Sequence, residues 1–278
     1  MTFRLCFVGN SHLGALKRAW NRIGTEFPDI EVSMFGAAGS SFRDVVVEGD
    51  MIVATSRAAA RSFRATGGKK RIRLSDCDGL VVVGSSASLL KLGRLLQDYM
   101  PPFMNPELVD PTQKAGRPDF IERLRALNRR GEPRLVSTPL FLDMLRAIHA
   151  KSHGAELLAA VSRVRPMRLA QVASPYPSSS LAEARPQDLI CQLVELGLGP
   201  LFAEMVADTL ADSLPKGAKL IRPPAELVIE GLFTERSYSD GSMALREEKG
   251  EHDEDDLFHM NEAYGEVMLR RIILEMSR

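Results

Sequence analysis

No stretch of the 278 residues approaches the roughly 20 consecutive apolar side chains that a bilayer-spanning helix needs, so a helical membrane span is excluded. Cysteine is scarce. Cys6, Cys77 and Cys191 stand far apart in the chain and offer neither a Cys-x-x-Cys pair nor a disulfide framework. Net charge is absent as well: 36 lysines and arginines cancel 36 aspartates and glutamates, leaving no overall field to draw in nucleic acid or an anionic membrane. No Gly-Lys-Ser or Gly-Lys-Thr follows Gly9, so segment 9–14 is not a phosphate loop. The opening residues set Arg4 inside an apolar run too short for the core of a secretory signal, and they turn polar by Asn10. With the isolated thiols, this leads to the expectation of a reducing, cytoplasmic location. No internal repeat is evident.

What the chain does have is material for a core. With 45% apolar residues over 278 positions, one α/β domain spanning 1–278 and carrying an insertion is expected. Residues 3–9 are β-rich and end at Gly9, after which Leu13, Leu16, Ala19, Trp20 and Ile23 recur at helical spacing. That pattern reads as strand, tight turn, helix. A second strand over 30–35 runs into Gly36-Ala37-Ala38-Gly39-Ser40-Ser41, whose small residues suit a loop that another group approaches closely. The unbroken apolar run Gly79-Leu80-Val81-Val82-Val83-Gly84 has the pattern of a strand covered on both faces, and so a central one. Weaker strand signals at 168–173 and 219–222 are closed by Pro175 and Pro223. Five strands alternating with helices predict a three-layer, flavodoxin-like, doubly wound parallel sheet.

Residues 99–166 do not read as a simple crossover. A proline-rich loop precedes a helix near 120–130 and then a stronger one, in which Ser137 or Thr138 caps, Pro139 suits the first turn, and Leu140, Phe141, Met144, Leu145 and Ile148 form one face. This span is read as an inserted helical subdomain, placed either over the active-site edge of the sheet or elsewhere as added core.

Ligands of open parallel sheets bind beyond the carboxyl ends of the strands, so the loops after the first three strands should converge. They read Gly9-Asn10-Ser11-His12, Gly36-Ala37-Ala38-Gly39-Ser40 and Gly84-Ser85-Ser86-Ala87-Ser88. A further segment, Asp256-Leu257-Phe258-His259, stands just ahead of a C-terminal helix carrying Tyr264, Val267, Met268 and Ile272. A serine hydroxyl is a poor nucleophile until a neighbouring base takes its proton, and an imidazole base needs a carboxylate to fix its tautomer. Ser11, His259 and Asp256 supply that set, and the three-residue gap between Asp256 and His259 lets one turn bring the carboxylate to the ring nitrogen facing away from serine. Acyl transfer also needs donors for a developing oxyanion, for which the backbone N–H groups of Ser11 and Gly39 are candidates.

Strand-Gly-Asn-Ser-His near the start, a glycine loop after the second strand and Asp-x-x-His before the last helix together resemble the SGNH/GDSL hydrolase superfamily. The resemblance covers both ends of the chain and the strand pattern between them, but not residues 99–166 or 224–250. It implies a serine esterase that uses Ser11, His259 and Asp256 and forms an acyl-enzyme. The implied substrate is an acyl ester, such as an O-acyl group on a carbohydrate or another small polar molecule, and no metal or organic cofactor is required. An O-acyltransferase would differ only in the second acceptor. Two blocks depart from the family pattern. Gly9-Asn10-Ser11 stands where Gly-Asp-Ser is common, and Gly84-Ser85-Ser86-Ala87 stands where Gly-x-Asn-Asp is usual, putting Ser86 in the place of an asparagine that joins the oxyanion hole. A short rotating hydroxyl is less preorganised than an amide, and losing one such donor costs about two to three orders of magnitude in rate. That departure motivates a second reading, a catalytically silent binding or regulatory protein that keeps the fold and pocket.

Plainer uses stand beside these. Ser11 and Asp256 are suitable helix caps, Gly36 and Gly39 suit any tight turn, and His12 reads as a surface or helix-start residue. His149 and His153, four apart, could meet a metal, but without a Glu-x-x-His signature a solvated helix face is expected. The acidic run 247–256, with His252, Asp253, Glu254 and Asp255, offers hard ligands and a third reading as a metal-assisted hydrolase. It lacks a calcium-loop pattern and reads as a mobile loop whose field would raise the basicity of His259. The basic stretch from Arg57 to Arg73, with Arg61, Arg64, Lys69, Lys70 and Arg71, could hold an anionic sugar or phosphate; lacking an aromatic platform, it is not read as a nucleic-acid surface.

Overall fold

A computed structural model of the protein describes residues 2–37, 39–105, 108, 119–128, 133–242, 244–245, 252–253 and 256–277. From the start, β1 (Phe3–Gly9) turns into α1 (Leu13–Ile23) and returns as β2 (Ile30–Gly36). β3 (Val45–Glu48), β4 (Met51–Ala54), α2 (Arg57–Gly67) and β5 (Arg71–Arg73) precede the central β6 (Gly79–Val83). Then come α3 (Leu89–Asp98), β7 (Tyr99–Met100), α4 (Phe120–Asn128), β8 (Arg134–Leu135), α5 (Thr138–Ala150), α6 (His153–Val164) and β9 (Arg168–Val172). The last part holds α7 (Leu181–Ala184), α8 (Leu189–Glu195), α9 (Gly199–Asp212), β10 (Lys219–Ile221), β11 (Val228–Ile229), β12 (Phe233–Thr234) and α10 (Glu262–Ser277).

Five strands form the expected parallel sheet, in the order β10-β9-β6-β1-β2. Side chains alternate across a strand, and the alternation divides the core in two. Leu5, Phe7, Val81 and Val83 face α1 and α10, while Cys6, Val8, Leu80 and Val82 face α2 and α6. Apolar burial on both faces is what a crossover-connected parallel sheet demands, and each fully buried leucine, valine or phenylalanine contributes about 1.5–3 kcal/mol. On one side, the Leu13, Leu16, Ala19 and Ile23 stripe of α1 packs with Tyr264, Met268, Leu269 and Ile272 of α10. A further cluster gathers Leu92, Leu124, Phe141, Ile190 and Phe202 from α3, α4, α5, α8 and α9.

Within span 99–166, Ser137 caps α5 by accepting the Leu140 N–H, α5 packs on α9, and α6 packs on β9, β6 and β3. α6 is therefore a covering helix of the central sheet. Outside the expected sheet, β3, β4 and β5 form a small antiparallel one. Its signal was present as two apolar runs joined by Gly49-Asp50, a short-hairpin pattern. Cys6, Cys77 and Cys191 are free and buried. No helix among the described residues is long and apolar enough to cross a membrane.

Arg4 on β1 is fixed by Asp78, just ahead of β6. The carboxylate accepts from the Arg4 guanidinium at 2.9 and 3.1 Å and from the Arg4 backbone N–H at 2.9 Å. The guanidinium bond, more than any other cause, lowers the Asp78 carboxyl to about 2 from its usual 3.8. A depressed carboxylate stabilises the fold above its unfolded pKa, and that contribution is lost as pH falls through the folded value. Both side chains are a third or more exposed, so solvent screening keeps the contribution of the pair small. Asp78→Asn should therefore lower Tm at pH 7 by about 2 °C, with the difference from wild type closing as pH falls toward 2 in a thermal melt series.

Candidate active site

Gly9, the last residue of β1, pairs with Gly36 of β2 on one side and Val83 of β6 on the other, so three strands end level. The chain leaves β1 toward β2 and re-enters the sheet at β6 on the opposite side of β1, which makes this edge the topological switch point where a crevice opens. At Gly9 a Cβ would sit 2.7 Å from the Val83 carbonyl oxygen, so only glycine lets the two strands end this close.

Asn10 organises the turn that follows. Its N–H donates to Val83 O at 3.3 Å, its carbonyl accepts from Leu13 N at 3.1 Å, and its side-chain Oδ1 accepts from His12 N at 3.1 Å. Gly84, at φ +65°, makes room for the Asn10 carboxamide, which a Cβ at that position would strike. Gly84→Ala combines a left-handed backbone with that collision, so we expect about 1–3 kcal/mol of destabilisation and displacement of the turn bearing Ser11. Denaturant unfolding reads the first effect, and a loss of reactivity at Ser11 beyond the loss of folded protein reads the second.

Asp256 and His259 arrive from the other end of the chain. The Asp256 carboxylate accepts from the Phe258 and His259 backbone N–H groups at 2.9 and 3.0 Å, closing a tight turn, and its other oxygen lies 2.6 Å from His259 Nδ1. His259 Nε2 lies 2.8 Å from Ser11 Oγ, across 248 residues of sequence. The three side chains proposed from sequence are thus brought together in the order carboxylate, imidazole, hydroxyl. With a carboxylate at Nδ1, the favoured tautomer carries its proton there and leaves Nε2 to accept from serine. Burial raises the Asp256 carboxyl, but the Phe258 N–H, the neighbouring His259 and its bonds outweigh it, and the net shift is downward. The carboxylate is therefore charged at neutral pH.

Two further histidines surround His259. His252 stacks on it with ring centroids 4.0 Å apart and brings its Nδ1 to 3.4 Å from Asp256. On another side, the ring centroid of His12 is 5.1 Å away. Of the surface or helix-start reading of His12 the second half holds, and the ring is half-buried rather than on the surface: its Nδ1 is buried, and burial, then the charge of His259, push the imidazole down to about 3. His12 does occupy the residue before α1, without a side-chain cap. A neutral His12 leaves room for a positive charge on His259, since two neighbouring cations would repel. His12 follows Ser11 directly in the chain, whereas nothing in the spacing of His252 and His259 placed their rings in contact. His252, Asp256 and His259 also form the one group of three metal-capable side chains among the described residues. An ion bound through either nitrogen of His259 would displace the proton on Nδ1 or the Ser11 contact at Nε2. Of the acidic run, residues 247–251, 254 and 255 lie outside the described residues.

Neither the Ser11 nor the Gly39 N–H has a hydrogen-bond acceptor among the described residues. Ser86 does reach the same edge, but its Oγ lies 3.1 Å from Ser174 Oγ, so that hydroxyl already shares a hydrogen bond. Asn10, Gly39 and Ser86 line a cleft of about 840 Å³ beside the Ser11 turn, whose far wall includes Ala147, Ile148 and Lys151 from the end of α5. The span after β6 thus contributes to the site edge.

His149 and His153 do not form a solvated face. His149 closes α5, fully buried, and burial lowers its imidazole to about 4. His153 opens the next helix, with Nε2 2.9 Å from Val45 O and its ring edge-on to Phe42. His149 is thus fully buried and His153 half-buried, where the end of α5 meets the start of α6. In the basic stretch, Arg57, Arg61 and Arg64 lie on the exposed side of α2, and Lys69, Lys70 and Arg71 continue that surface.

No family model matches the chain, and no curated protein matches it. Among solved structures, the chain is similar to a carbohydrate acetylesterase family member from Sinorhizobium meliloti, with 13% identity over the whole of both chains and a TM-score of 0.35.

Proposed function

We propose that this protein is a serine esterase of the SGNH/GDSL type, acting on an acyl ester of a carbohydrate or other small polar molecule. One observation carries the reading: Ser11 Oγ, His259 Nε2, His259 Nδ1 and Asp256 Oδ2 form a chain of two short contacts, 2.8 and 2.6 Å, at the switch point of the sheet. A hydroxyl, an imidazole and a buried-edge carboxylate in that order are what removal of a serine proton requires.

In the proposed cycle, Ser11 Oγ attacks the ester carbonyl while its proton passes to His259 Nε2. The resulting imidazolium is stabilised by Asp256, and the carbonyl electron pair moves onto oxygen, where the Ser11 and Gly39 N–H groups donate to it. Collapse expels the alcohol, which takes the proton from His259 and leaves an acyl group on Ser11. Water, deprotonated by His259, then releases the acid and restores the serine. An alcohol acceptor at that last step would make the same site a transferase.

The Ser86–Ser174 contact favours a second reading, a silent binding protein, if Ser86 is its donor, because its hydroxyl proton is then turned away from a developing oxyanion. Purified protein incubated with p-nitrophenyl acetate and with a fluorophosphonate probe separates the two. Release of p-nitrophenol together with labelling supports the esterase, and protein that does neither supports the binder.

A further inference from the structure

We propose that the ester substrate is an acidic sugar whose negative group sits in the cleft beside Asn10, gripped by Arg43, Lys91 and Lys151. This inference deepens the esterase reading and rests on it for the reaction, but not for the binding.

The cleft, at about 840 Å³, is large enough for a sugar unit or two, and its near edge carries Asn10, Gly39 and Ser86 from the three loops at the strand ends. Its cations come from three separate elements: Arg43 from the loop after β2, Lys91 from the first turn of α3, and Lys151 from the end of α5. Convergence of three chain segments is different from a run of basic residues along one helix face. None of the three side chains makes an ion pair or side-chain hydrogen bond among the described residues. Arg57, Arg61 and Arg64 along α2 are exposed cations of the other kind, carried by one helix face rather than gathered at a cavity. Among the described residues Glu156 is the lone acidic side chain in the lining, against three cations.

Two helices also begin at this cleft and one ends there. Ser88 caps α3 and Ser152 caps α6, each accepting from a backbone N–H in the first turn, and both line the cavity; the C-terminal end of α5 offsets one of these two positive helix ends, leaving a net positive contribution beside the cations. The serine hydroxyls and backbone groups around the cations suit sugar hydroxyls, and the guanidinium fork of Arg43 suits a carboxylate.

The test compares kcat/KM for O-acetylated galacturonic acid and O-acetylated galactose, which differ by the carboxylate, in wild type and in the Arg43→Ala/Lys91→Ala/Lys151→Ala variant. Wild type should prefer the uronate by about tenfold at low salt, with the preference shrinking at high ionic strength, and in the variant it should fall to about one. Absence of the preference in wild type, or its survival in the variant, overturns the proposal. Should the triple variant not fold, Lys91→Ala alone should reduce the preference by about threefold, and an unchanged ratio again overturns it. If neither sugar ester is hydrolysed, turnover of p-nitrophenyl acetate decides whether the esterase reading has failed too, and the cleft is tested separately by titrating galacturonate into wild type and variant. Binding that weakens about tenfold in the variant sustains the anion site without the esterase. No binding, or equal binding, removes it.

Discussion

Ser11→Ala is expected to lower kcat toward p-nitrophenyl acetate by about 10⁴-fold or more while leaving Tm within about 2 °C of wild type. The first part follows from the role proposed for the hydroxyl. Without it no acyl-enzyme forms, and what remains is the activity of water in a polarising pocket, as in other serine hydrolases stripped of their nucleophile. The second follows from what Ser11 does not do. It stands where a helix cap would be plausible, yet no side chain caps α1, and the Ser11 hydroxyl is engaged by His259 instead. Removing a part-exposed hydroxyl that supports no helix end costs about 0.5 kcal/mol or less. Initial-rate assays paired with thermal melts check both halves, and a large loss of stability with a small loss of rate would assign Ser11 a structural role.

Asp256→Asn should reduce kcat by about 10⁴-fold as well, through the orientation of the imidazole rather than loss of the base. The carboxylate accepts a proton-bearing Nδ1, which points the lone pair of Nε2 at Ser11. An asparagine presenting its NH₂ to Nδ1 holds the opposite tautomer, with the Nε2 proton directed at the serine it should accept from. The amide oxygen can still take the Phe258 and His259 N–H bonds, so the turn should persist, with little change in Tm. A fall in rate of less than tenfold would mean that His259 does not depend on Asp256 for its tautomer. His252, 3.4 Å from the same carboxylate, would then be the next side chain to examine.

Much of this molecule was readable from residue patterns, for identifiable reasons. Buried parallel strands such as Gly79–Val83 are continuous apolar runs, and the residues that end them are forced by geometry to be small, so Gly9, Gly36 and Gly84 marked the strand ends. The pairing of Ser11 with His259 and Asp256 was legible because each residue type has a chemical partner it requires, and the sheet topology says where the first loop must lie. The antiparallel β3–β4–β5 sheet lies outside the five-strand expectation although Gly49-Asp50 marks its first hairpin. His12, His149 and His252 were different. Whether an imidazole is solvated or buried depends on which distant helix end or loop closes over it, and sequence spacing holds no record of that. The cations of the cleft share this property, since Arg43, Lys91 and Lys151 come from segments that only the fold brings together.

The most direct measurement is the site of covalent labelling. Wild-type protein treated with a fluorophosphonate should gain the mass of one phosphonyl group, and peptide mapping should place it on Ser11, with no adduct in His259→Ala under the same conditions. An adduct on another residue, Ser86 included, or labelling that persists without His259, would contradict activation of the Ser11 hydroxyl by the imidazole 2.8 Å away.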